Sequence, residues 1–288
     1  MTEPLVSIVV PTRNSAGMIG NCLESVRCQT YPNIELIVVD GFSSDKTLEI
    51  AKQYTQHVFV FGPDQSKERV FGGPYQRNYG VSQAKGEFVY YVDSDMELPP
   101  ELISTCVQAC LQNGYDALNI YEESFGQSFW AKCKWLERAC YVGEPLIAGP
   151  RFIRREVWNV LGGLDAKLGG GDDWDFHDRL LEGGYKIGAV QLLVRHNEGN
   201  LRLGPLFRKR YVYGKTVRQY FQKHKNFQRN FSKFTLFRSC FFKNWRLFLA
   251  HPVLAIGMVI MRVGEYVSAL LGIIKSVFLP SKIKLESK

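Results

Sequence analysis

Short apolar runs alternate with amphipathic stretches along the first part of the chain. Residues 5–10 form a continuous apolar run that ends at Pro11, a pattern typical of a strand buried on both faces. Apolar residues then recur at helical spacing from Ile19 to Val26, which predicts a helix. The same alternation continues, with strands predicted at 34–39, 57–61 and 87–92 and helices around 48–51 and 75–84. This order predicts an α/β domain with a Rossmann-like, mainly parallel sheet.

The pattern is less regular after residue 100. Further elements are predicted as a helix at 100–112 stopped by Gly114, a strand at 115–121, a helix at 127–141 and a strand at 187–195. Aromatic residues of the 127–141 helix either pack in the core or line an acceptor groove. Glycines and aspartates crowd residues 162–175, which predicts a loop that passes close to a ligand.

Polar side chains follow three of the predicted strands, at the edge where an open parallel sheet binds its ligand. They lie at residues 12–14, at Asp40 and at residues 93–95. Asp93 and Asp95 are two residues apart on extended backbone, so both carboxylates point to one side and suit Mg²⁺ or Mn²⁺ bound to a diphosphate. The alternative for such a D-x-D motif is a helix cap or a solvated turn.

Composition narrows the class of protein. With 288 residues, of which 45% are hydrophobic, the chain can bury a large core, which excludes a disordered or collagen-like protein. It contains seven cysteines, an odd number, and no C-x-x-C motif. Both features are expected of reduced thiols in a cytosolic protein. The N-terminus lacks the basic region and long apolar run of a signal peptide, so the first half is expected in the cytoplasm.

Charge divides the chain into two parts. Residues 1–198 carry a net charge of −8, and residues 199–288 carry +16. Residues 202–246 hold thirteen Lys or Arg and no acid, interleaved with aromatic residues. This pattern suits either an anionic membrane surface or a nucleic acid.

The apolar segment that follows favours the membrane, and no nucleic acid is expected as a partner. Residues 247–279 are mostly apolar but are interrupted by Pro252, Arg262, Glu265 and Lys275. The pieces on either side of Arg262 are 15 and 17 residues long, shorter than a secure span. We therefore predict a membrane-embedded or interfacial helical hairpin first, a tilted transmembrane pass second and a soluble helical bundle third. Arg262 and Glu265 are spaced to pair with each other.

Several motifs in a fixed order give the chain a specific resemblance. VSIVVPTRN, ELIVVDGFSSDKT, QRNYGVSQAKGEFVYYVDSD, GGLDAKLGGGDDWDFHDRLLEGGYKIG and VRHNEG, spread over roughly residues 5–215, resemble the inverting family 2 glycosyltransferases with the GT-A fold. The resemblance implies a nucleotide-diphospho-sugar transferase fold, a nucleotide-sugar donor and a Mg²⁺ or Mn²⁺ cofactor.

The resemblance also implies roles for individual residues. Donor contacts fall to Pro11, Thr12, Arg13, Asp40, Arg77 and Asp93, metal ligation to Asp95 and His196, general base catalysis to Asp173 and a supporting role to Asp172. Asp40 is followed by glycine where family members have a second acid, and Asp172 replaces the usual glutamate. The sequence lacks the Q-x-x-R-W motif of processive synthases, which favours single-sugar transfer. His177 is interpreted as a structural residue, and Arg151, Arg154 and Arg155 as a solvated face. Trp174 either stacks on a sugar ring or anchors the loop in the core.

Together these observations predict a metal-dependent inverting hexosyltransferase at the cytoplasmic face of the cell membrane, peripheral or integral through residues 247–279. It would transfer a sugar to a lipid-linked or glycan acceptor in surface polysaccharide or glycolipid synthesis. The expected parts are a catalytic domain at 1–200, a basic aromatic helical segment at 201–246 and membrane-associated helices with a basic tail at 247–288. The alternatives are a non-catalytic membrane or nucleic-acid adaptor and a metal-dependent nucleotidyltransferase.

Overall fold

A computed structural model describes residues 3–62, 72–145, 147, 149–224, 235–236 and 238–278. Eight strands form one sheet in the order β3-β2-β1-β4-β7-β6-β8-β5. The strands are β1 (Val6–Thr12), β2 (Ile34–Asp40), β3 (Val58–Val60), β4 (Phe88–Tyr91), β5 (Met96–Glu97), β6 (Ala117–Phe125), β7 (Pro150–Arg154) and β8 (Ile187–Asn197).

The sheet is mainly parallel, as the sequence predicted. Strands β3, β2, β1 and β4 run parallel, and β6 runs parallel to β8. Two strands oppose their neighbours, β7 between β4 and β6 and the short β5 beside β8. Strand β7 was not predicted, because its five residues show neither a long apolar run nor a regular alternation.

Helices surround this sheet. Those described are α1 (Ile19–Arg27), α2 (Thr47–Ala51), α3 (Gly72–Gln83), α4 (Leu102–Asn113), α5 (Phe129–Ala139), α6 (Arg155–Leu161), a 3-10 helix (Ala166–Gly171), α7 (Asp172–Glu182), α8 (Leu203–Lys223), α9 (Ser239–Lys243), α10 (Trp245–Ala250) and α11 (Pro252–Phe278). The loop predicted at 162–175 is therefore shorter than expected, because helix α7 begins at Asp172 with three aspartates in its first turn, where carboxylates favour a helix start.

The core lies on both faces of the sheet. Along β1, Ile8 and Val10 pack with α1 and α4 residues on one face, while Val9 packs with residues of α3, α6 and α7 on the other. This double burial is why the strand carries apolar residues on both faces rather than alternating.

Helix α11 runs without a break from Pro252 to Phe278, so the hairpin predicted at 247–279 is wrong. Pro252 occupies the first helical position, where a missing N–H costs nothing, and no other proline follows in the helix. Among the described residues, α11 is the one helix long and apolar enough to cross a membrane.

The charges in α11 do not pair with each other as predicted. Arg262 pairs with Glu137 of α5, and Glu265 accepts a 2.8 Å hydrogen bond from Arg210 of α8. Because α5 and α8 both pack against α11, each charge meets a closer partner on a neighbouring helix than on its own.

Helix α8 in turn packs against the 3-10 helix and α7. The Tyr220 hydroxyl donates a 2.5 Å hydrogen bond to Asp178, and His224 lies 2.8 Å from Asp175. A Cβ on Gly170 would come within 2.3 Å of the Tyr213 ring, so only glycine allows this approach. The division of the chain at residue 200 stays a prediction.

Gly80 provides a test of how helix α3 packs on the sheet. A Cβ there would lie 2.3 Å from Val9 Cγ1 and 3.1 Å from Val39 Cγ2, whereas a Cβ on Gly73 of the same helix meets nothing within 4 Å. We expect Gly80→Ala to lower the free energy of unfolding by about 1–3 kcal/mol despite alanine's higher helix propensity. Gly73→Ala is the matched control and should be neutral or slightly stabilising. Urea unfolding measures both, and a stable Gly80→Ala would contradict this packing.

Candidate active site

The predicted site residues lie along one edge of the sheet. Strands β1, β2, β4 and β8 point the same way, and their carboxyl ends carry Thr12, Asp40, Asp93 and His196. Asp95 follows Asp93, and β5 pairs with β8 so that Met96 lies opposite His196. The convergence of these residues therefore follows from strand direction and pairing.

Asp93 is held by two arginines. Arg77 of α3 donates a 2.6 Å hydrogen bond to Asp93 Oδ1, and Arg151 of β7 donates a 3.1 Å bond to Oδ2. Burial alone would raise the pKa of Asp93, but the charges of Arg77 and Arg151 outweigh it and hold the pKa well below its usual range. Asp93 is therefore ionised, and both of its oxygens have partners.

A second buried acid, Glu122 of β6, anchors the far side of the site. It pairs with Arg138 of α5, forms a 3.1 Å ion pair with Arg151 Nη2 and lies 2.9 Å from His196 Nδ1. Burial opposes ionisation, yet Arg138 and Arg151 keep the pKa of Glu122 well below its usual range. For His196, burial lowers the pKa, but hydrogen bonding to Asp95 and Glu122 outweighs it and raises the pKa to about 9.

Asp95 has a carboxylate oxygen that could bind a cation. Its Oδ2 lies 3.4 Å from His196 Nε2, while its Oδ1 is buried without a hydrogen-bond partner. The described residues contain no cluster of three or more acid, histidine or cysteine ligands. One carboxylate suffices for Mg²⁺ or Mn²⁺ when diphosphate oxygens and water complete the shell, so the residues present fit such an ion.

The acidic pair lies at the start of α7. Arg77 Nη1 lies 3.5 Å from Asp172 Oδ2 and 3.7 Å from Asp173 Oδ1. Asp172 is buried, and burial together with the neighbouring Asp173 raises its pKa to about 8, so it carries a proton at neutral pH. The side chain of Asp173 is one-third exposed, which leaves it accessible to a ligand.

Tyr91, at the end of β4, contacts Asp173. Its hydroxyl lies 3.1 Å from both Asp173 Oδ1 and the Pro150 carbonyl oxygen, so its one proton is donated to either. The guanidinium groups of Arg77 and Arg151 lie 4.9 and 5.7 Å from the centre of its ring. One aromatic side chain thus contacts both arginines and the candidate base.

A pocket of about 160 Å³ opens beside Asp173. Side chains of β6, α5, β7 and α7 line it, including Glu122, Arg138, Tyr141, Arg151 and Trp174. The α5 aromatics Phe129, Trp130 and Trp135, considered for an acceptor groove, are not among the lining residues, and Trp130 and Trp135 instead pack in a cluster with α11.

The loops after β1 and β2 form the other side of the site. Pro11 and Thr12 are buried, Arg13 is exposed, and the Thr12 hydroxyl is a buried group without a hydrogen-bond partner. Asp40 is fully buried and accepts hydrogen bonds from the backbone N–H and the hydroxyl of Ser43 at 2.7 and 2.5 Å. The donor contacts assigned to these residues stay predictions, and for Asp40 a direct contact competes with Ser43.

Sequence reasoning missed Arg151, Glu122 and Tyr91. Arg151 was interpreted as part of a solvated face, which is wrong because β7 inserts between β4 and β6 and carries the side chain into the acidic edge. The signal available for Glu122 was a run of polar residues at the end of an apolar strand, the same signal that identified Asp93. His177 is buried, as its structural interpretation predicted.

Comparisons with known proteins place the chain in a family. A family profile described as glycosyl transferase family 2 matches residues 7–160. The putative glycosyltransferase EpsH of Bacillus subtilis is 37% identical over 101 residues, which cover 35% of this chain and 29% of EpsH. The PGL/p-HBAD biosynthesis glycosyltransferase of Mycobacterium bovis is 27% identical over 188 residues, covering 62% of this chain and 70% of that protein. The chain thus aligns with under a third of the length of EpsH.

A solved structure extends the likeness to the fold. The mannosyltransferase PcManGT from Pyrobaculum calidifontis, in complex with GDP-Man and Mn²⁺, superposes with a TM-score of 0.63 at 17% identity, covering 96% of this chain and 88% of that chain. The predicted GT-A-type α/β fold is thereby confirmed. With the family profile matching more than half of its residues, the chain belongs to glycosyl transferase family 2.

Proposed function

We propose that this chain is a metal-dependent, inverting glycosyltransferase that moves one sugar from a nucleotide-sugar donor to a lipid-linked or membrane-proximal glycan acceptor. The observation that carries the proposal is the separation of two kinds of acid at one edge of the sheet. Asp95 has an unpartnered buried oxygen suited to a cation, and Asp173 lines a pocket suited to an acceptor.

On the donor side, Asp95 would hold Mg²⁺ or Mn²⁺ together with the diphosphate, and His196 would join it through Nε2 after the cation displaces the proton from that nitrogen. The bound cation supplies neutralisation of the charge that develops on the leaving diphosphate. Family membership and the GDP-Man and Mn²⁺ bound by PcManGT support this assignment. Pro11, Thr12, Arg13 and Asp40 lie at the neighbouring strand ends and would contact the base and ribose.

On the acceptor side, Asp173 would take the proton from the attacking hydroxyl. Glu122 also lines the pocket, but its oxygens are bound by Arg138, Arg151 and His196, so it is unsuited to accept a proton. With a single base available, the acceptor hydroxyl would displace the nucleotide diphosphate in one step. One displacement inverts the configuration at the anomeric carbon. Asp172 beside it is unsuited to this role, because burial and the neighbouring Asp173 raise its pKa and keep it protonated.

Arg77 would connect the two sides. It contacts Asp93 on the donor side and both members of the acidic pair, so its position fixes the distance between donor and base.

We further place the enzyme at the cytoplasmic face of a membrane, in surface polysaccharide or glycolipid assembly. The basic residues after position 198, the apolar α11 and the likeness to a mycobacterial glycosyltransferase of PGL/p-HBAD biosynthesis support this setting.

Donor binding tests the role of Asp95. In a thermal-shift panel of UDP, GDP, CDP and dTDP sugars, we expect one nucleotide class to stabilise the wild-type protein only when Mn²⁺ is present. At ligand about 100-fold above Kd the gain is about 2.7 kcal/mol, and Asp95→Ala should abolish it. Glu97→Gln, which removes an exposed partner of Arg195 nearby, is the control and should keep the response. Stabilisation that persists in Asp95→Ala would contradict the metal assignment.

Turnover tests the role of Asp173. Asp173→Asn keeps the shape of the side chain and its contact with Tyr91 but cannot take a proton, so kcat should fall by about 10²–10⁴-fold with donor binding unchanged. Glu182→Gln at the exposed end of α7 serves as control. The adaptor alternative predicts no sugar transfer by any of these proteins. A variant Asp173→Asn with near wild-type kcat would exclude this residue as the base.

Stability against pH tests the proton on Asp172. Its pKa is raised to about 8 in the folded protein, above the ordinary aspartate value of about 4, so the folded state keeps a proton that the unfolded chain releases. The contribution of this proton to the free energy of unfolding is fully present below about pH 4. It is lost as pH rises towards 8, by up to about 1.4 kcal/mol per pH unit.

The variant Asp172→Asn has no titrating side chain at this position, so its stability lacks this pH-dependent contribution. The difference in unfolding free energy between Asp172→Asn and the wild type should therefore shift in favour of the variant as pH rises from about 5 to 8. Urea unfolding at several pH values measures it, with Glu156→Gln on α6 controlling for loss of a carboxylate. A difference that does not change with pH would show that Asp172 titrates normally.

A further inference from the structure

Helix α11 has two unlike faces along its whole length. One face is apolar and open, with side chains between 42% and 77% exposed at helical spacing. Its members are Val253, Ile256, Ile260, Val263, Val267, Leu270, Leu271, Ile274 and Phe278. We call this set the open face of α11.

The opposite face is packed against the rest of the protein from end to end. A Cβ on Gly257 would lie 2.7 Å from the Phe129 ring of α5, and a Cβ on Gly264 would lie 2.1 Å from the Phe207 ring of α8. Near the end of the helix, a Cβ on Gly272 would meet the Tyr211 carbonyl oxygen at 2.1 Å. Both α5 and α8 therefore lie in direct contact with α11 over successive turns.

The packed face also carries charges that would be costly to unpair. Buried Arg262 pairs with Glu137 and donates to the Leu236 carbonyl oxygen at 2.8 Å. Buried Glu265 accepts from Arg210, and Lys134 Nζ lies 2.7 Å from Glu137. If α11 crossed a bilayer, either these pairs would break inside hydrocarbon or α5 and α8 would enter it with their charged side chains, and both are strongly unfavourable.

The surroundings of the open face are basic. Arg208 and Lys215 share an exposed face of α8 beside the residues that contact α11, and no carboxylate of the described chain lies within salt-bridge distance of them. Residues 199–288 contain eighteen basic and two acidic side chains. A second copy of the chain would bring like charges together at this face, whereas anionic lipid headgroups complement them.

We propose that α11 lies in the plane of an anionic membrane interface, with its open face in the lipid and its packed face on the catalytic domain, and does not cross the bilayer. This deepens the membrane setting of the proposed function and rests on it. The helix has 27 residues, about 40 Å, so its length would permit a crossing, and the packing of its other face decides against one.

The packed face of α11 also contacts the wall of the pocket beside Asp173. Arg262 donates a 2.8 Å hydrogen bond to the hydroxyl of Tyr141, and Tyr141 lines the pocket beside Asp173. The pocket wall is thus one hydrogen bond away from the helix that we place in the interface, which suits an acceptor carried on a lipid.

Vesicle binding tests the surface and its charge. The full chain should bind equimolar phosphatidylcholine–phosphatidylglycerol vesicles and bind pure phosphatidylcholine far more weakly. Val267→Glu on the open face should weaken binding by about tenfold or more, and joint Arg208→Gln and Lys215→Gln by about 30-fold. Val160→Glu of α6 and Leu111→Glu of α4, equally exposed apolar positions elsewhere, are matched controls and should bind as the wild type.

Depth measurements separate an interfacial helix from a span. Cys28 is the exposed cysteine among the seven, so a Cys28→Ser background allows single spin labels at Val253, Val263 and Ile274. An interfacial helix places all three labels at similar shallow depth, about 5–10 Å below the headgroups. A span places the middle label deepest and the outer two near opposite surfaces, which would overturn the proposal.

Two further results would also overturn it. One is equal binding of the wild type and Val267→Glu, and the other is a wild-type dimer that Val267→Glu converts to a monomer, which would make the open face a contact between copies. None of these measurements needs donor or turnover, so Asp173→Asn should bind vesicles normally. Loss of catalysis and loss of membrane docking are therefore observed separately.

Discussion

The structure depends on Arg77 and Arg151, which make it possible to bury several carboxylates at one edge of the sheet. Without them, Asp93 would be an ionised, partly buried group that has lost both of its arginine partners, a cost of several kcal/mol, and Glu122 would keep only Arg138 and His196. The two guanidinium groups lie on opposite sides of Asp93, and both contact the ring of Tyr91. Packing of β4, β7 and α3 is thus coupled to the charge balance of the site.

The acids at this edge differ in how completely their charge is neutralised, and this difference separates them by role. Asp93 and Glu122 are each paired with two arginines. Asp172 lies 3.5 Å from Arg77, but burial and the neighbouring Asp173 outweigh that charge and raise its pKa. Asp95 keeps an oxygen without a partner, and Asp173 keeps one-third of its side chain exposed. The acids left incompletely satisfied are those that a donor complex and an acceptor would complete.

Local pattern predicted the parallel strands and their polar ends well, because a buried strand and the turn after it are encoded by adjacent residues. It failed where pairing is between distant segments. Arg151 enters the site because β7 runs antiparallel between β4 and β6, which no periodicity in its own neighbourhood indicates. Arg262 and Glu265 were expected to pair at three residues' separation, but their partners come from α5 and α8, more than fifty residues away in sequence.

The same distant pairing explains how a buried arginine is accommodated in a mostly apolar helix. Replacing Arg262 by an apolar residue would leave Glu137 with Lys134 as its remaining cation and would remove the donor to Tyr141. Arg262 therefore fixes α11 against α5 in one register, and α5 carries Arg138 and leads directly into Tyr141 at the pocket. Lipid affinity alone would not require the contact of Arg262 with α5 and Tyr141. Its presence indicates that the position of α11 and the shape of the pocket beside Asp173 depend on each other.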